Sequence, residues 1–216
     1  MIKRVFDIVA ASTGLLLLSP LLLVAAALVK LDSPGPVLFS QERVGRRFRR
    51  FRIYKLRTMV QGADVTGRAI TCGDDPRITP VGRLLRRLKI DELPQLVNVV
   101  KGEMSLVGPR PELPHYVELF RADYQDILEV RPGITDVASI NYRNESELLG
   151  RLANPEEEYL TRILPDKIRL EKLYLRKAGV GYDLKLIVST LLTLLTRGRW
   201  PHLDEASSAS DILRTR

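Results

Sequence analysis

The chain reads as a mainly helical α+β protein with one small β-hairpin and an apolar N-terminal helix suited to a membrane. Three observations predict this. A 22-residue stretch, Ile8 to Val29, carries no charge. A short apolar segment, Val37 to Gln41, precedes a segment of alternating apolar and basic residues, Phe51 to Arg57. Most of the chain beyond the hairpin has apolar residues at helical spacing.

The apolar stretch is long enough for a hydrocarbon core of about 30 Å. Lys3, Arg4 and Asp7 precede it, and Lys30 and Asp32 come after it. A cleaved signal peptide fits poorly, because Lys30-Leu31-Asp32 is not a small-residue cleavage site. Ser19-Pro20 lies mid-run, where proline removes one helix hydrogen bond and serine can satisfy the freed backbone. A straight span and a helix–break–helix hairpin that enters and leaves by one face are both compatible with this. Basic residues at both ends favour the hairpin, since Lys and Arg prefer the cytoplasmic side.

Asp32-Ser33-Pro34-Gly35-Pro36 is a turn that ends this segment. The hairpin strands come next. Eight Lys or Arg and no acid lie from Arg43 to Arg57. That run suits either anionic lipid head groups or phosphate recognition through Lys55 and Arg57. The loop from Val60 to Asp75 leads to Thr79-Pro80, an N-cap followed by proline at the first helical position. The helix it opens carries Arg83, Arg86, Arg87 and Lys89 and no acid.

Asp91 and Glu92 then arrive together. Pro94 belongs in a first turn, so a second helix begins here, with Leu93, Leu96, Val97 and Val100 as its apolar face. Asp91 is expected as its N-cap or first-turn residue, kept ionised by the helix terminus and the arginines. A plain cap paired with Arg87 is the simpler alternative. Further on, two prolines stiffen the loop around Arg110 (Pro109-Arg110-Pro111). It serves as an anion clamp or as an ordinary turn. Arg131-Pro132-Gly133 is another turn holding an arginine.

Leu113 to Glu129 and Glu156 to Lys177 are predicted helices. Asp183 to Trp200 is a third, either packed on the core or lying in the membrane surface with Lys185, Arg197, Arg199 and Trp200 at the interface. Residues 204–216 are predicted to be a disordered tail.

Composition narrows the chemistry. The formal charge of +8 and a pI near 9.8 point to an anionic partner. One cysteine and two histidines leave little material for a disulfide, a Cys/His metal site or a Ser-His-Asp triad. There is no Walker-type loop and no dinucleotide glycine fingerprint. Nucleic acid is disfavoured as a partner, because aromatics interleave sparsely with the basic run (Phe48, Phe51, Tyr54). A tethered scaffold that binds anions without catalysis remains the alternative to an enzyme.

Several strings together resemble the bacterial sugar transferases, the monotopic phosphoglycosyl transferases, nearly from end to end. They are Lys3-Arg4-Val5-Phe6-Asp7, Ser19-Pro20, Gly35-Pro36-Val37 through Gln41, Tyr54 to Met59, Asp91-Glu92-Leu93-Pro94-Gln95-Leu96 with Asn98, Met104 to Pro111, and Arg131 to Thr135. The resemblance implies transfer of a sugar phosphate from a UDP-sugar donor to polyprenyl (undecaprenyl) phosphate, with UMP released, at the cytoplasmic face of the bacterial inner membrane. It implies Mg²⁺ as cofactor and a re-entrant first helix, residues 1–32, ahead of a catalytic domain, 33–203. Asp91 would be a carboxylate nucleophile. Glu92 would help hold Mg²⁺ beside Asp91 or act as a base. Lys55, Arg86, Arg110 and Arg131 are the candidate phosphate contacts, and Arg57, Asn141, Arg143 and Glu171 the candidate sugar-nucleotide pocket. A homodimer is left open. The chain departs from the family pattern after Thr135, where Asp136 to Glu145 replace a glycine, a tryptophan and an Asn-Gly-Arg string. Glu171 stands where many relatives have Asp. The sugar is therefore open.

Overall fold

A computed structural model describes residues 2–63, 70–73 and 75–195. The predicted tail, and the end of the last helix with Arg197, Arg199 and Trp200, lie outside the described residues.

The fold is mainly helical, with one antiparallel hairpin as expected. Helix α1, Ile2–Asp32, runs unbroken through Pro20. The expected break at Ser19-Pro20 is therefore not an interruption of the helix, and local chemistry explains why. Pro20 cannot donate to the carbonyl of Leu16, four residues back. The Ser19 hydroxyl donates to that same oxygen at 2.7 Å.

Both ends of α1 are fastened to one body. Near the start, Lys3 donates to Val107 O and pairs with Asp183, while Arg4 donates to Val99 O and Val100 O. Buried Asp7 accepts from Ser105 Oγ at 2.8 Å and Leu106 N at 3.1 Å. Ala11 packs with Ile53, Leu96 and Val99. Near the end, Ala25 and Val29 pack on Leu56 and Leu85. The helix's 31 residues, at a rise of about 1.5 Å each, thus lie along the protein. The opposite side exposes Leu16, Leu17, Leu23, Val24 and Leu31. Asp7→Ala would strand two polar groups under the helix. We expect a loss of about 1–3 kcal/mol, read as a lower melting temperature of the detergent-solubilised protein.

Strands β1 (Leu38–Val44) and β2 (Arg50–Leu56) pair with Leu38 opposite Leu56 and Val44 opposite Arg50. The hairpin is longer than the sequence pattern suggested. Its turn places Arg47 and Phe48 at positive φ, and Phe48 packs on the core with Arg121 over its ring. Helix α2, Pro80–Leu88, starts as predicted, with Gly82 N–H donating to Thr79 Oγ1 at 3.0 Å. A Cβ on Gly82 would sit 2.1 Å from Thr58 O, so α2 can approach that segment only with glycine there.

Helix α3 is Gln95–Lys101. Strands β3 (Ser105–Val107) and β4 (Gly133–Thr135) form a parallel pair that the sequence did not suggest, since three residues carry no readable alternation. A Cβ on Gly133 would meet Gly108 N at 2.1 Å, which explains a glycine at each crossing point.

The predicted helix at 113–129 is two, α4 (Pro114–Leu119) and α5 (Arg121–Ile127), separated at Phe120. Next come the short helices α6 (Val137–Asn141), α7 (Glu145–Gly150) and α8 (Pro155–Glu158). A π-helical turn, Tyr159–Ile163, joins α8 to α9, Leu164–Lys177. Helix α10, Val180–Leu195, packs on the core along one side and leaves the other exposed. Leu186 is buried in the core with Tyr116, Tyr124, Ile127, Leu149 and Leu170, while Val180, Leu184, Val188 and Leu191 are exposed.

Candidate active site

Lys89 takes a left-handed conformation (φ 56°) and ends α2. The chain then makes one 3-10 turn, Ile90–Glu92, and Pro94 stands at the head of α3. Asp91 is therefore not the cap of α3, in contrast to the sequence expectation. The intervening turn puts it too early, and no ion pair with Arg87 forms among the described residues. Asp91 is 6% exposed, and its Oδ1 is buried with no hydrogen-bond partner. Burial raises its pKa, the adjacent Glu92 adds to this, and Lys55, Lys89 and Arg86 pull the other way without prevailing. Desolvation, rather than a helix terminus, is thus the largest influence on this carboxyl in the free protein.

Glu92 has the opposite environment. Its carboxylate receives Lys55 Nζ at 3.0 Å from β2 and a two-pronged contact from Arg110 on the proline loop. Burial pushes its pKa up, but Arg110 and Lys55 outweigh this and hold it well below the usual carboxylate range. The two adjacent carboxyls are thus pushed in opposite directions, Asp91 by burial and Glu92 by its two cations.

Both face a cleft of about 1110 Å³. Arg83, Arg86, Arg87 and Lys89 line it on the Asp91 side, and Thr58 holds Arg86 Nε at 2.8 Å. Across it, Arg43 pairs with Glu112 at 2.9 Å, Tyr159 donates to Glu112 at 2.8 Å, and Lys167 pairs with Glu145 at 2.8 Å. Arg43 belonged to the basic run but was not singled out. Glu112 and Lys167 carried no local signal, because their roles come from elements brought together in three dimensions.

Of the residues predicted from sequence, Asp91, Glu92, Lys55, Arg86, Arg110 and Arg143 line this cleft. Arg143 also donates to Thr193 O. Four candidates serve elsewhere. Arg131 is a correction: its Nε donates to Gly102 O at 2.8 Å, near Arg4 and Arg46 and outside the cleft lining. Arg57 touches the cleft but spends its guanidinium on Val29 O, Ser33 O and Pro34 O, capping the end of α1. Asn141 donates to Val137 O within its own helix, and Glu171 is buried in the core at 2% exposure. Arg131, Arg57 and Asn141 thus spend donors on backbone carbonyls, and Glu171 is an acceptor within the core. Ser19 and Pro20 lie within α1 and are not part of the cleft lining.

Among the described residues no group of three or more His, Cys, Asp or Glu forms a metal centre. Mg²⁺ commonly binds through one or two carboxylates and completes its shell with water and substrate phosphate. The unpartnered Asp91 Oδ1 beside Glu92 fits that mode.

A buried carboxylate oxygen without a partner, in a cleft rich in cations and beside an exposed apolar helix, suits group transfer between anionic substrates at a membrane surface. The chain matches the bacterial sugar transferase profile over residues 1–197, and it belongs to that family. It is 42% identical over 200 residues to the UDP-N-acetylgalactosamine-undecaprenyl-phosphate N-acetylgalactosaminephosphotransferase of Aeromonas hydrophila, covering 90% of this chain and 44% of that protein. The exopolysaccharide production protein PSS of Rhizobium leguminosarum is 39% identical over 206 residues, covering 92% of this chain and 97% of that one. The UDP-glucose:undecaprenyl-phosphate glucose-1-phosphate transferase of Caulobacter vibrioides is 41% identical over 197 residues, covering 90% and 70%.

Proposed function

We propose that this protein transfers a sugar 1-phosphate from a UDP-sugar to undecaprenyl phosphate through a covalent intermediate on Asp91. The observation that carries the proposal is the buried, unpartnered Asp91 Oδ1 within a cationic cleft. An Asp91 oxygen attacks the β-phosphorus, the bond to the bridging oxygen breaks, and UMP leaves with that oxygen. The lipid phosphate then attacks the same phosphorus and expels the Asp91 carboxylate. Lys55, Arg86 and Arg110 hold the diphosphate and offset the charge that builds on its oxygens. When bound, Mg²⁺ would neutralise the diphosphate and favour the ionised form of Asp91, which with Glu92 would hold it.

Helix α1 supports a monotopic reading. Both of its ends bind one body, and its outer face is apolar. We read it as lying in one leaflet without crossing the bilayer, with the cleft at the cytoplasmic face beside the lipid head groups.

The test is UMP release from a panel of UDP-sugars, with Mg²⁺ and undecaprenyl phosphate. Release with one sugar, lost in EDTA and in Asp91→Asn, is expected. Normal turnover by Asp91→Asn would overturn the proposal. The pH profile offers a second check. Burial raises the Asp91 pKa above the ordinary 3.8 in the metal-free protein, Mg²⁺ would favour the ionised form, and only that form attacks, so raising Mg²⁺ should move the acid limb of kcat/KM to lower pH. An acid limb that does not move with Mg²⁺ would contradict the assignment.

A further inference from the structure

The cleft has two walls of different chemistry, and the proposed reaction uses only one of them. Along the α2 side stand Arg83, Arg86, Arg87 and Lys89, suited to phosphate oxygens. The wall from α6 and α7 is mixed. There Arg143 and Arg151 are matched by Glu145 and Glu147, with Ser139 and Ser146 among them.

Glu145 is the fixed acceptor on that second wall. Its Oε2 accepts from Lys167 Nζ at 2.8 Å. Lys167 is buried, with a side chain 8% exposed, and it also donates to Tyr159 Oη at 3.3 Å and lies 4.0 Å from Glu112 Oε2. Glu112 is gripped in turn by Arg43 at 2.9 Å, Tyr159 Oη at 2.8 Å and Leu113 N at 2.8 Å. The side chain of Glu145 is 28% exposed and lines the cleft, and its Oε1 accepts no hydrogen bond among the described residues. Neutralising Lys167 thus accounts for one oxygen of this carboxylate and leaves the other open to the cleft.

A carboxylate oxygen accepts hydrogen bonds and never donates. It repels a diphosphate, so the open oxygen is unsuited to that part of the donor. A sugar hydroxyl brings the donor it lacks, and a hydrogen bond to an ionised acceptor is roughly twice as strong as a neutral one. An acceptor already held by a buried lysine loses little freedom on binding. The acid group of a uronic acid would instead meet it anion to anion, which is how a site rejects a near-identical ligand. We propose that Glu145 Oε1 accepts a hydroxyl of the donor sugar and makes the site select a neutral hexose over a uronic acid. The inference rests on the transfer reading, whose donor it describes.

Glu145→Gln changes the sign of this contact. Lys167 has only donors, so the amide oxygen turns to Lys167 and the amide N–H₂ faces the cleft. An acceptor becomes a donor that a uronic acid can use. The experiment is calorimetric titration of full-length, detergent-solubilised Asp91→Asn protein, with Mg²⁺ and without lipid acceptor, carrying Glu145 or Glu145→Gln. The ligands are UDP, a panel of neutral UDP-hexoses and UDP-glucuronate. With Glu145, the tightest neutral hexose should bind at least about tenfold tighter than UDP-glucuronate. In Glu145→Gln that gap should shrink roughly tenfold. An unchanged gap would overturn the proposal. So would a loss of affinity that falls equally on UDP and the UDP-sugars, which would place Glu145 against the uridine or in the fold alone. If Glu145→Gln fails to fold, Glu145→Asp keeps the anion and must still reject UDP-glucuronate; equal binding of acidic and neutral donors by it would overturn the proposal. The transfer reading fails separately, if wild type with lipid acceptor releases no UMP from any donor while these affinities behave as expected. Binding of none of the nucleotides would overturn both.

Discussion

Asp91→Asn should lower sugar-phosphate transfer by roughly 10⁴-fold or more, the scale seen when an enzyme loses its nucleophile. The fold should survive. Asp91 Oδ1 makes no hydrogen bond, and burial already disfavours its charge. An amide removes that cost while filling the same space, so the melting temperature should be unchanged or higher. Membrane attachment should also persist, because α1 is fastened by Lys3, Arg4, Asp7 and Arg57. Loss of activity together with loss of folding would point to a structural role for Asp91 instead.

Glu92→Gln should act on stability as well as turnover. The Glu92 side chain is 12% exposed, that of Lys55 20% and that of Arg110 29%, so the pairings are only partly screened. Removing the anion leaves two cations facing each other. The cost should be about 3 kcal/mol, near the low end for breaking a buried pair, because glutamine keeps one acceptor oxygen. The site would then lack negative charge, and a diphosphate should restore it. We expect UDP to raise the melting temperature of Glu92→Gln more than that of wild type. An equal UDP response in both proteins would show that Lys55 and Arg110 do not meet the ligand's phosphates. The depressed pKa of Glu92 adds stability above the ordinary glutamate value of 4.5, lost as pH falls toward the folded value.

The sequence made the long apolar helix, the hairpin and the basic α2 legible, since each has a period or a composition that declares itself. It also brought Asp91, Glu92, Lys55, Arg86 and Arg110 forward, and all of them line the cleft. What misled was local context. Pro94 correctly marked the start of α3, but no pattern announced the 3-10 turn that separates Asp91 from it. Arg131 looked like Arg110, an arginine held beside prolines, yet the parallel pairing of β3 and β4 turns it toward Gly102. Arg57 sits two residues from Lys55 in an alternating segment, but β2 ends at Leu56. Arg57 then turns back to cap α1, a partner 28 residues away. Such outcomes depend on long-range packing, as does the wall built by Arg43, Glu112 and Lys167.

The most direct test is to incubate the protein with a turned-over UDP-sugar and Mg²⁺, without lipid acceptor, and to map the mass of its peptides. A gain equal to one sugar phosphate on the peptide containing Asp91, discharged when undecaprenyl phosphate is added, is the expected result. UMP release with no adduct, or an adduct on any other residue, would contradict the role assigned to Asp91.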